Sequence, residues 1–568
     1  MRIVVVGGVA AGMSAAARAR RLDEEAEIIV LDRGDHVSFA NCGLPYYVGS
    51  EIKEENKLLV QTPTSLKNAL NLDIRVRHEA IGLDPKAKTL KVRNEDGEFD
   101  LEYDALVLAP GAKVVYPPIP GLDSPRVSTL RTVEDALTLR EEATEAKGAS
   151  GPAKRAVVLG AGFIGVETAE ALNRQGLDVS IVELGPHVLP PLEPELAVLV
   201  KRELIALGIK VLDHTSAVEI QHGEDFDTVV LSDGNKIEAD IVVLSTGVAP
   251  ATDVFEDSGL ELVKGAIVVD DRGRTNLDSV WAGGDAVLSK DAITLAERAV
   301  QLAGPANRAG RQIADDIITG GKGRPLPNPI GTAIIRIGDL TAAFTGANRR
   351  ELKEAGIDFH TINLHPNQHA GYFPGAKMIN LVIHFGKDGR ILGAQGVGEE
   401  GVDKRVDLFA TAIRADLLIT DLIDLDLSYS PPYGMAKDPV NLAGMVAENI
   451  LDGVTAMWYS EDLGEVMETS LIVDCRTPEE YATGHIPGAI NIPHTQIRAH
   501  LDEVRELADG RPVRVHCASG FRSYLAERVL RQEGFSDVAN LAGGMLTLKA
   551  AIDAGMTPDV ELVCGSGA

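Results

Sequence analysis

Cysteine is scarce in this chain. Only four occur among 568 residues, and they are Cys42, Cys475, Cys517 and Cys564. Thiols so few and so scattered exclude a disulfide framework, and no two of them have the C-x2-C spacing of a metal site. We therefore expect reduced thiols, as in a cytoplasmic protein, and no bound metal.

Long apolar runs are also missing. No stretch of about 18 or more apolar residues occurs, so no membrane span is predicted. The apolar start, residues 3–17, is broken by Gly7, Gly8 and Gly12 and continues into a charged helix. This pattern predicts a strand, a turn and a helix rather than a targeting segment.

Positive charge is in deficit. The chain has 55 Lys and Arg residues against 84 Asp and Glu residues, which gives a net charge of −29. Such a field repels phosphate, so we expect neither nucleic acid nor a membrane surface as a partner. An anionic ligand would need local cations or the N-terminus of a helix.

What the sequence contains is one pattern twice: an apolar strand, a glycine-rich turn, a helix, and a strand that ends in an acid. The copies cover residues 2–32 and 156–183. Glycines let the backbone approach a pyrophosphate at a helix N-terminus, and the acid binds ribose hydroxyls, so each copy predicts a dinucleotide site. The first copy has Val9 in place of the middle glycine, but its N-terminal position and Asp32 predict FAD. The second predicts NADH over NADPH, because Glu183 would repel a 2′-phosphate.

The predicted contacts lie in these turns and in the acids that follow them. For FAD in the first copy they are Gly7, Gly8, Gly12, Asp32 and Arg33. For NAD(H) they are Gly160, Gly162, Phe163, Ile164, Gly165, Glu183 and Gly247.

Two further segments carry a family resemblance. Residues 109–111 (APG) follow an apolar strand at 105–108, and residues 282–286 read AGGDA. With the two nucleotide units, they resemble the pyridine nucleotide–disulfide oxidoreductases. The resemblance implies that Asp285 contacts the ribityl chain of FAD and that Ala109, Gly111 and Gly284 belong to the same site. Pro110 departs from the family, which more often has threonine.

Cys42 lies in the segment SFANCGLPY, residues 38–46, and no second cysteine precedes Cys475. A solitary thiol must cycle as a mixed disulfide with a small thiol or as a sulfenic acid. The segment resembles the coenzyme A-disulfide reductases, in which S-x2-N-C-G marks a mixed disulfide with coenzyme A. The resemblance implies coenzyme A as a bound thiol, with contacts from Ser38, Asn41, Arg18, Arg21 and Lys67.

A sulfenic acid at Cys42 would instead imply a water-forming NADH oxidase or an NADH peroxidase. The peroxidases place a histidine within the first glycine-rich turn, where this chain has Ala10. The peroxidase alternative is therefore disfavoured, and the oxidase alternative stays open.

The relatives also imply a homodimer in which two tyrosines reach the active-site cysteine of the other subunit. Tyr372 and Tyr429 match best, with Tyr433 as a rival for the second position. Their hydroxyl groups would protonate a departing thiolate.

The C-terminal part resembles a rhodanese domain, through residues 474–481, 484–493 and 513–523. Cys517 directly follows a predicted strand and precedes a tight turn into a helix, where backbone amides and the helix dipole favour a thiolate and hold a persulfide. The implied loop consists of Ala518, Ser519, Gly520, Phe521, Arg522 and Ser523, and Arg522 is expected to add positive charge. His485 is interpreted as structural, and Asp474 and Arg476 as supports of the loop.

The sequence thus predicts an α/β protein with two Rossmann-like FAD and NAD domains, an α+β dimerisation domain and an α/β rhodanese domain. The predicted boundaries are 1–150 and 275–325 for FAD, 151–274 for NAD(H), 326–453 for dimerisation and 463–564 for rhodanese. A hinge is expected at 147–152, a helix at 294–318 and a linker at 320–329.

The predicted function is NADH-dependent reduction of coenzyme A persulfide, coenzyme A disulfide or polysulfide through Cys42, coupled to persulfide transfer by Cys517. One alternative is the NADH oxidase or peroxidase described above. Another is a sulfurtransferase whose flavoprotein part is only a platform.

Overall fold

The computed structural model describes residues 1–148, 154–558 and 560–565. Most of the hinge predicted at 147–152 therefore lies outside the described residues. The chain divides into two compact units. The first comprises Met1–Pro186 and Leu207–Gly331, and the second comprises His187–Ala206 and Thr332–Ala568. The predicted mixed α/β fold class is confirmed.

The first unit contains two five-stranded parallel sheets. In sheet order, the strands of the first are Val280–Ala282, Ala105–Leu108, Arg2–Val6, Glu27–Leu31 and Asp73–Arg75. Those of the second are Lys210–Leu212, Asp178–Val182, Arg155–Leu159, Ile241–Leu244 and Val127–Ser128. The central strands are almost continuously apolar because helices or small sheets cover both faces.

Helices flank these sheets, and they are Ala10–Leu22, Leu44–Val48, Pro63–Leu70, Val133–Gly148, Phe163–Arg174 and Ala303–Thr319. Small antiparallel sheets are formed by Glu79–Asp84, Thr89–Asn94 and Gly97–Glu102, and by Ala217–Gln221, Asp227–Leu231 and Lys236–Ala239. Gly310 lets the helix Ala303–Thr319 approach the helix Ala10–Leu22, because a Cβ at Gly310 would lie 2.0 Å from the carbonyl oxygen of Ala11.

The predicted helix at 294–318 is wrong in its first part. Residues Leu288–Lys290 and Glu297–Ala299 form an antiparallel hairpin, and the helix begins only at Ala303. Asp291 stabilises the hairpin turn, because its carboxylate accepts hydrogen bonds from the Ile293 and Thr294 amides.

The second unit begins with an antiparallel five-stranded sheet. In sheet order its strands are Ala333–Ile337, Leu340–Gly346, Ile391–Gly398, Ile379–Phe385 and His360–Leu364. Its helices are Pro194–Ala206, Arg349–Glu354, Val402–Arg414 and Pro439–Leu451.

The same unit contains a second, parallel sheet. In sheet order its strands are Met457–Trp458, Val538–Leu541, Val513–His516, Leu471–Asp474 and Ile490–Asn491. The helices around it are Leu463–Thr469, Pro478–Ala482, Leu501–Ala508, Phe521–Gln532 and Gly544–Asp553. The strand Met457–Trp458 precedes residue 463, the predicted start of this module, because two residues are too few to give a recognisable strand pattern.

A buried cluster of charges lies within the second unit. Arg349, whose side chain is 12% exposed, pairs with Glu195 at 2.8 Å, Glu461 at 3.3 Å and Glu193 at 3.4 Å. Glu193 also lies 2.9 Å from His384 Nε2. Burial opposes the ionisation of Glu193, but the contact with His384 and the charge of Arg349 bring its pKa down to about 2. The cluster ties the segment before helix Pro194–Ala206 to the rest of the unit.

Within the described ranges, the structure has no helix both long and apolar enough to span a membrane. Nor does this part of the chain group three or more His, Cys, Asp or Glu side chains in an arrangement that could hold a metal ion.

Candidate active sites

A cavity of about 230 Å³ lies at the carboxyl ends of the strands of the first sheet. Seven predicted FAD contacts line it, and they are Gly7, Asp32, Arg33, Ala109, Gly111, Gly284 and Asp285. The other two shape the turn. The Gly8 amide donates to Asp32 at 2.8 Å, and a Cβ at Gly12 would lie 1.9 Å from the Gly7 carbonyl oxygen.

The turn after the first strand suits a dinucleotide. Gly7 has a φ of +99°, and a Cβ there would lie 2.0 Å from the Ala109 carbonyl oxygen, so a side chain is excluded. Burial raises the pKa of Asp32, and hydrogen bonds from the Gly34 and Gly8 amides oppose that rise. The helix Ala10–Leu22 begins in the cavity wall, so its N-terminus is placed to hold a pyrophosphate.

Arg131 lines the same cavity and was not predicted. Its guanidinium lies 3.3 Å from the Asp285 carboxylate. The two residues are 154 positions apart, so no local motif marks Arg131. The cavity thus has one charged group of each sign, and both influence the pKa of the Cys42 thiol.

Cys42 is exposed and lies in the single-turn 3-10 helix Asn41–Gly43. Partial burial of its thiol raises the pKa of Cys42. The carboxylates of Glu167 and Asp285 raise it further, and Arg131 lowers it. Cys42 therefore lies within electrostatic reach of the cavity residues Asp285 and Arg131.

Two predicted neighbours of Cys42 shape its surroundings. Asn41 lines the cavity, and its side-chain oxygen is buried without a hydrogen-bond partner among the described residues. Ser38 adopts a left-handed conformation with φ +50°, and its amide donates to the Gly8 carbonyl at 2.7 Å. The segment that carries Cys42 is thus bonded to the first glycine-rich turn, and Asn41 offers an unused acceptor there.

The second glycine-rich turn has the same construction. A Cβ at Gly165 would lie 2.0 Å from the Gly160 carbonyl oxygen, whereas Gly162 faces open space. Glu183 accepts a hydrogen bond from the Ala161 amide at 2.6 Å. Phe163 and Ile164 open the helix Phe163–Arg174, and Gly247 lies in the loop after strand Ile241–Leu244 with φ +106°. An open turn and an acid beside it fit an adenosine ribose and its pyrophosphate.

The three cations predicted to bind coenzyme A have different surroundings. Arg18 pairs with Asp315 at 2.6 Å, so it would have to exchange partners to bind a phosphate. Arg21 is exposed, and Lys67 is exposed and donates to Asn71 at 2.9 Å. Arg21 and Lys67 are therefore more accessible to a soluble ligand than Arg18.

In the second unit, the predicted tyrosines form a pair. The hydroxyl oxygens of Tyr372 and Tyr429 are 3.2 Å apart. This hydrogen bond raises the pKa of Tyr372. Both side chains are exposed, as is Tyr433. The contact favours Tyr429 over Tyr433 as the second residue of the pair.

Cys517 is buried at the end of strand Val513–His516. The Gly520 amide donates to its Sγ at 3.2 Å, and Gly520 has φ +95°. Ser523 closes the turn by donating to the Gly520 carbonyl at 3.2 Å. The helix Phe521–Gln532 starts within the loop, so the Gly520 amide and a helix N-terminus lie beside the thiol.

The predicted supports of this loop are buried. Arg476 forms an ion pair with Asp474 at 2.6 Å and donates to the Gly484 carbonyl. His485 stacks on Tyr481, with ring centroids 3.6 Å apart. Burial raises the pKa of Cys475 well above its ordinary value, so this thiol stays protonated.

Arg522, predicted to add positive charge to the loop, has a carboxylate partner that the sequence did not reveal. Its two terminal nitrogens each donate to the Glu480 carboxylate at 2.7 Å. The hydrogen bonds from Arg522 lower the pKa of Glu480 to about 2, so the carboxylate is ionised at neutral pH. Arg522 is also in electrostatic contact with Cys517. No local sequence signal connects Glu480 with Arg522, because Glu480 lies 42 residues before its partner.

Three family models match the chain. The model described as pyridine nucleotide-disulphide oxidoreductase matches residues 1–303, and the dimerisation domain of the same family matches residues 332–438. The rhodanese-like domain matches residues 455–551. The matched ranges contain both glycine-rich turns, both tyrosines and both thiols of interest.

Two curated relatives are each 32% identical to the chain. One is a coenzyme A disulfide reductase of Staphylococcus haemolyticus, aligned over 79% of this chain and 100% of its own. The other is a NADH oxidase of Methanocaldococcus jannaschii, aligned over 78% and 98%.

Two similar solved structures extend over the C-terminal module as well. Reduced CoADR-RHD of Bacillus anthracis is 38% identical, with a TM-score of 0.94 and coverage of 99% of both chains. A NAD-dependent persulfide reductase from A. fulgidus is 37% identical, with a TM-score of 0.88 and coverage of 96% of this chain and 100% of its own.

Proposed function

The chain belongs to the pyridine nucleotide-disulphide oxidoreductase family and carries a C-terminal rhodanese-like domain, and from this we propose that it reduces coenzyme A persulfide or coenzyme A disulfide with NADH. One observation carries the proposal. Cys42 is the only cysteine in the first 474 residues, and it lies within electrostatic reach of the cavity that suits FAD.

The glycine-rich turns, Asp32 and Asp285 would hold the FAD, and the turn at 160–165 with Glu183 would hold the NADH. When bound, these cofactors supply a two-electron path from NADH to the Cys42 thiol. The chain itself contributes the charges around that thiol. Arg131 favours the thiolate, while the carboxylates of Glu167 and Asp285 oppose it.

Cys42 acts as the nucleophile. Its thiolate attacks the coenzyme A sulfur of a coenzyme A persulfide, which forms a Cys42–coenzyme A disulfide and releases hydrosulfide. Two electrons and a proton from the NADH side then return this disulfide to a thiolate and free coenzyme A. Coenzyme A disulfide would react in the same way, with coenzyme A thiolate as the leaving group.

The dimerisation domain supports a homodimer as the active form. In it, the paired hydroxyls of Tyr372 and Tyr429 would come from the second copy of the chain and protonate the departing thiolate. Their mutual hydrogen bond and their exposure support this role.

Cys517 supplies sulfur to the reductase. In the loop 517–523 it would accept a sulfur atom as a persulfide and pass it to coenzyme A, whose long arm suits transfer between thiols. Polysulfide, thiosulfate and protein persulfides are the candidate donors.

Two serine variants test this division of labour. Cys42→Ser should abolish NADH oxidation with purified coenzyme A persulfide, because the attacking thiolate is gone. Cys517→Ser should retain that activity and lose most of the rate with a donor such as polysulfide. Equal losses of both variants on purified coenzyme A persulfide would refute the proposal.

A second candidate is a water-forming NADH oxidase with a sulfenic acid at Cys42, which the relative named NADH oxidase and the solitary exposed thiol favour. Anaerobic turnover separates the two candidates. A reductase keeps its full rate with coenzyme A persulfide when oxygen is absent, whereas an oxidase stops.

A third candidate is a sulfurtransferase whose flavoprotein part is only a platform. In that case NADH would leave the bound flavin unbleached.

A further inference from the structure

The sulfur donors open to Cys517 differ in charge. Thiosulfate is a dianion whose charge lies next to the sulfur that is transferred, whereas an organic persulfide carries at most one negative charge there. A site that binds thiosulfate therefore needs excess positive charge close to its nucleophile.

The cation of the Cys517 loop is paired with a carboxylate. Arg522 is the only cationic residue in the sequence 517–523, and both of its terminal nitrogens are bonded to Glu480. Glu480 is itself fixed, because its carboxylate accepts a hydrogen bond from the Thr477 amide at the start of its helix. The loop cation and its partner therefore sum to zero charge.

Two neighbouring basic side chains add no net charge. Arg476 is buried, and its guanidinium is bonded to both oxygens of Asp474. Burial lowers the pKa of His516 to about 4, so this imidazole is neutral at pH 7. These side-chain pairs thus carry no net charge, and what faces a dianion is the Gly520 amide and the N-terminus of the helix.

Two apolar side chains are exposed beside the loop. Phe521 is 67% exposed and Leu525 is 40% exposed. They are four residues apart on helix Phe521–Gln532 and so share one face. An organic group attached to the donor sulfur could cover this surface, whereas the small thiosulfate ion could not.

We propose that Cys517 takes its sulfur from organic persulfides, R–S–SH, in preference to thiosulfate, and that Glu480 sets this preference by neutralising Arg522. The inference rests on the proposed role of Cys517 as a persulfide carrier. The Cys517 thiolate attacks the outer sulfur of the donor, a new S–S bond forms, and the electron pair of the broken S–S bond leaves with R–S⁻. The proton stays on the transferred sulfur, and no oxidant or reductant is consumed.

Thiocyanate formation from cyanide by the full chain tests the proposal, with glutathione persulfide and thiosulfate as donors. The wild type should use glutathione persulfide with a kcat/KM at least about a hundredfold above that for thiosulfate. Glu480→Gln frees the Arg522 charge, so it should raise kcat/KM for thiosulfate about tenfold and leave the value for glutathione persulfide within about twofold. Glu479→Gln removes the adjacent exposed carboxylate on the same helix and should leave both values unchanged.

Either of two results would overturn the inference: equal use of both donors by the wild type, or an unchanged donor ratio in Glu480→Gln. The ratio of the two kcat/KM values in the wild type tests the donor preference even if Glu480→Gln folds poorly. If Cys517→Ser still transfers sulfur from glutathione persulfide at the wild-type rate, the proposed role of Cys517 fails instead.

Discussion

Replacing Arg349 by methionine should destabilise the second unit, because it leaves Glu193 and Glu195 buried without their cation. Folding lowers the pKa of Glu193 from 4.5 to about 2, first through His384 and then through Arg349, so Arg349 accounts for only part of the roughly 3 kcal/mol that this shift represents. Breaking a buried ion pair from one side costs about 3–5 kcal/mol, and Glu195 loses the cation with which it pairs at 2.8 Å. We expect a loss within this range at pH 7.

Urea unfolding followed by tryptophan fluorescence measures the effect. The chain has two tryptophans. Trp458 is buried in the second unit, so a Trp281→Phe background makes Trp458 the reporter. The midpoint should fall by about 1–2 M in Arg349→Met. The matched control is Arg350→Met, whose side chain is 67% exposed and whose contact with Glu354 is 3.9 Å. It should change stability by less than about 0.5 kcal/mol.

The pH dependence gives a second check. Because folding lowers the pKa of Glu193, its contribution is complete above pH 4.5 and is lost as the pH falls towards 2. The difference between wild type and Arg349→Met should therefore narrow below pH 4.5. A midpoint for Arg349→Met no lower than that of Arg350→Met at pH 7 would refute the reasoning.

Two further predictions concern the first unit. Burial and the Glu167 charge raise the pKa of Cys42, so alkylation of Cys42 by iodoacetamide should accelerate with rising pH. Glu167→Gln should move this pH–rate profile to lower pH, and coincident profiles of the wild type and the variant would contradict the prediction. Gly165→Ala should lower the unfolding temperature, because the new Cβ would lie 2.0 Å from the Gly160 carbonyl oxygen. Position 162 faces open space, so Gly162→Ala should leave stability unchanged and raise the KM for NADH. Calorimetry and NADH titration check the pair, and equal unfolding temperatures of the two variants would contradict it.

Sequence reasoning could predict the local geometry where the interacting residues are neighbours in the chain. The glycine-rich turns, their acids and the Cys517 loop are short segments whose chemistry is complete within about 30 residues. It failed where the partner comes from a distant segment. Arg131 and Glu480 lie 154 and 42 positions from the residues they pair with, and no local signal connects them.

The strands, helices and turns also divide into those that the sequence predicts and those that it does not. The central parallel strands are long and apolar, so they could be read from the sequence. The hairpin at 288–299 interrupts the predicted helix because Asp291 stabilises a turn there, and Ala-rich flanks conceal it. The sequence ranks Tyr429 ahead of Tyr433 but leaves both open, since the two occupy one short motif, and only the folded chain shows the hydrogen bond between Tyr372 and Tyr429.

The division of the chain into interleaved units has a practical meaning for protein production. The second unit takes residues 187–206 from the middle of the sequence, so no single cut separates the two units. A gene fragment that starts at residue 332 would encode both the antiparallel sheet and the sulfur-transfer loop, but it would omit Glu193 and Glu195. Arg349 would then be left with Glu461 alone, and a circularly permuted or inserted version of the missing helix would be needed to restore the cluster.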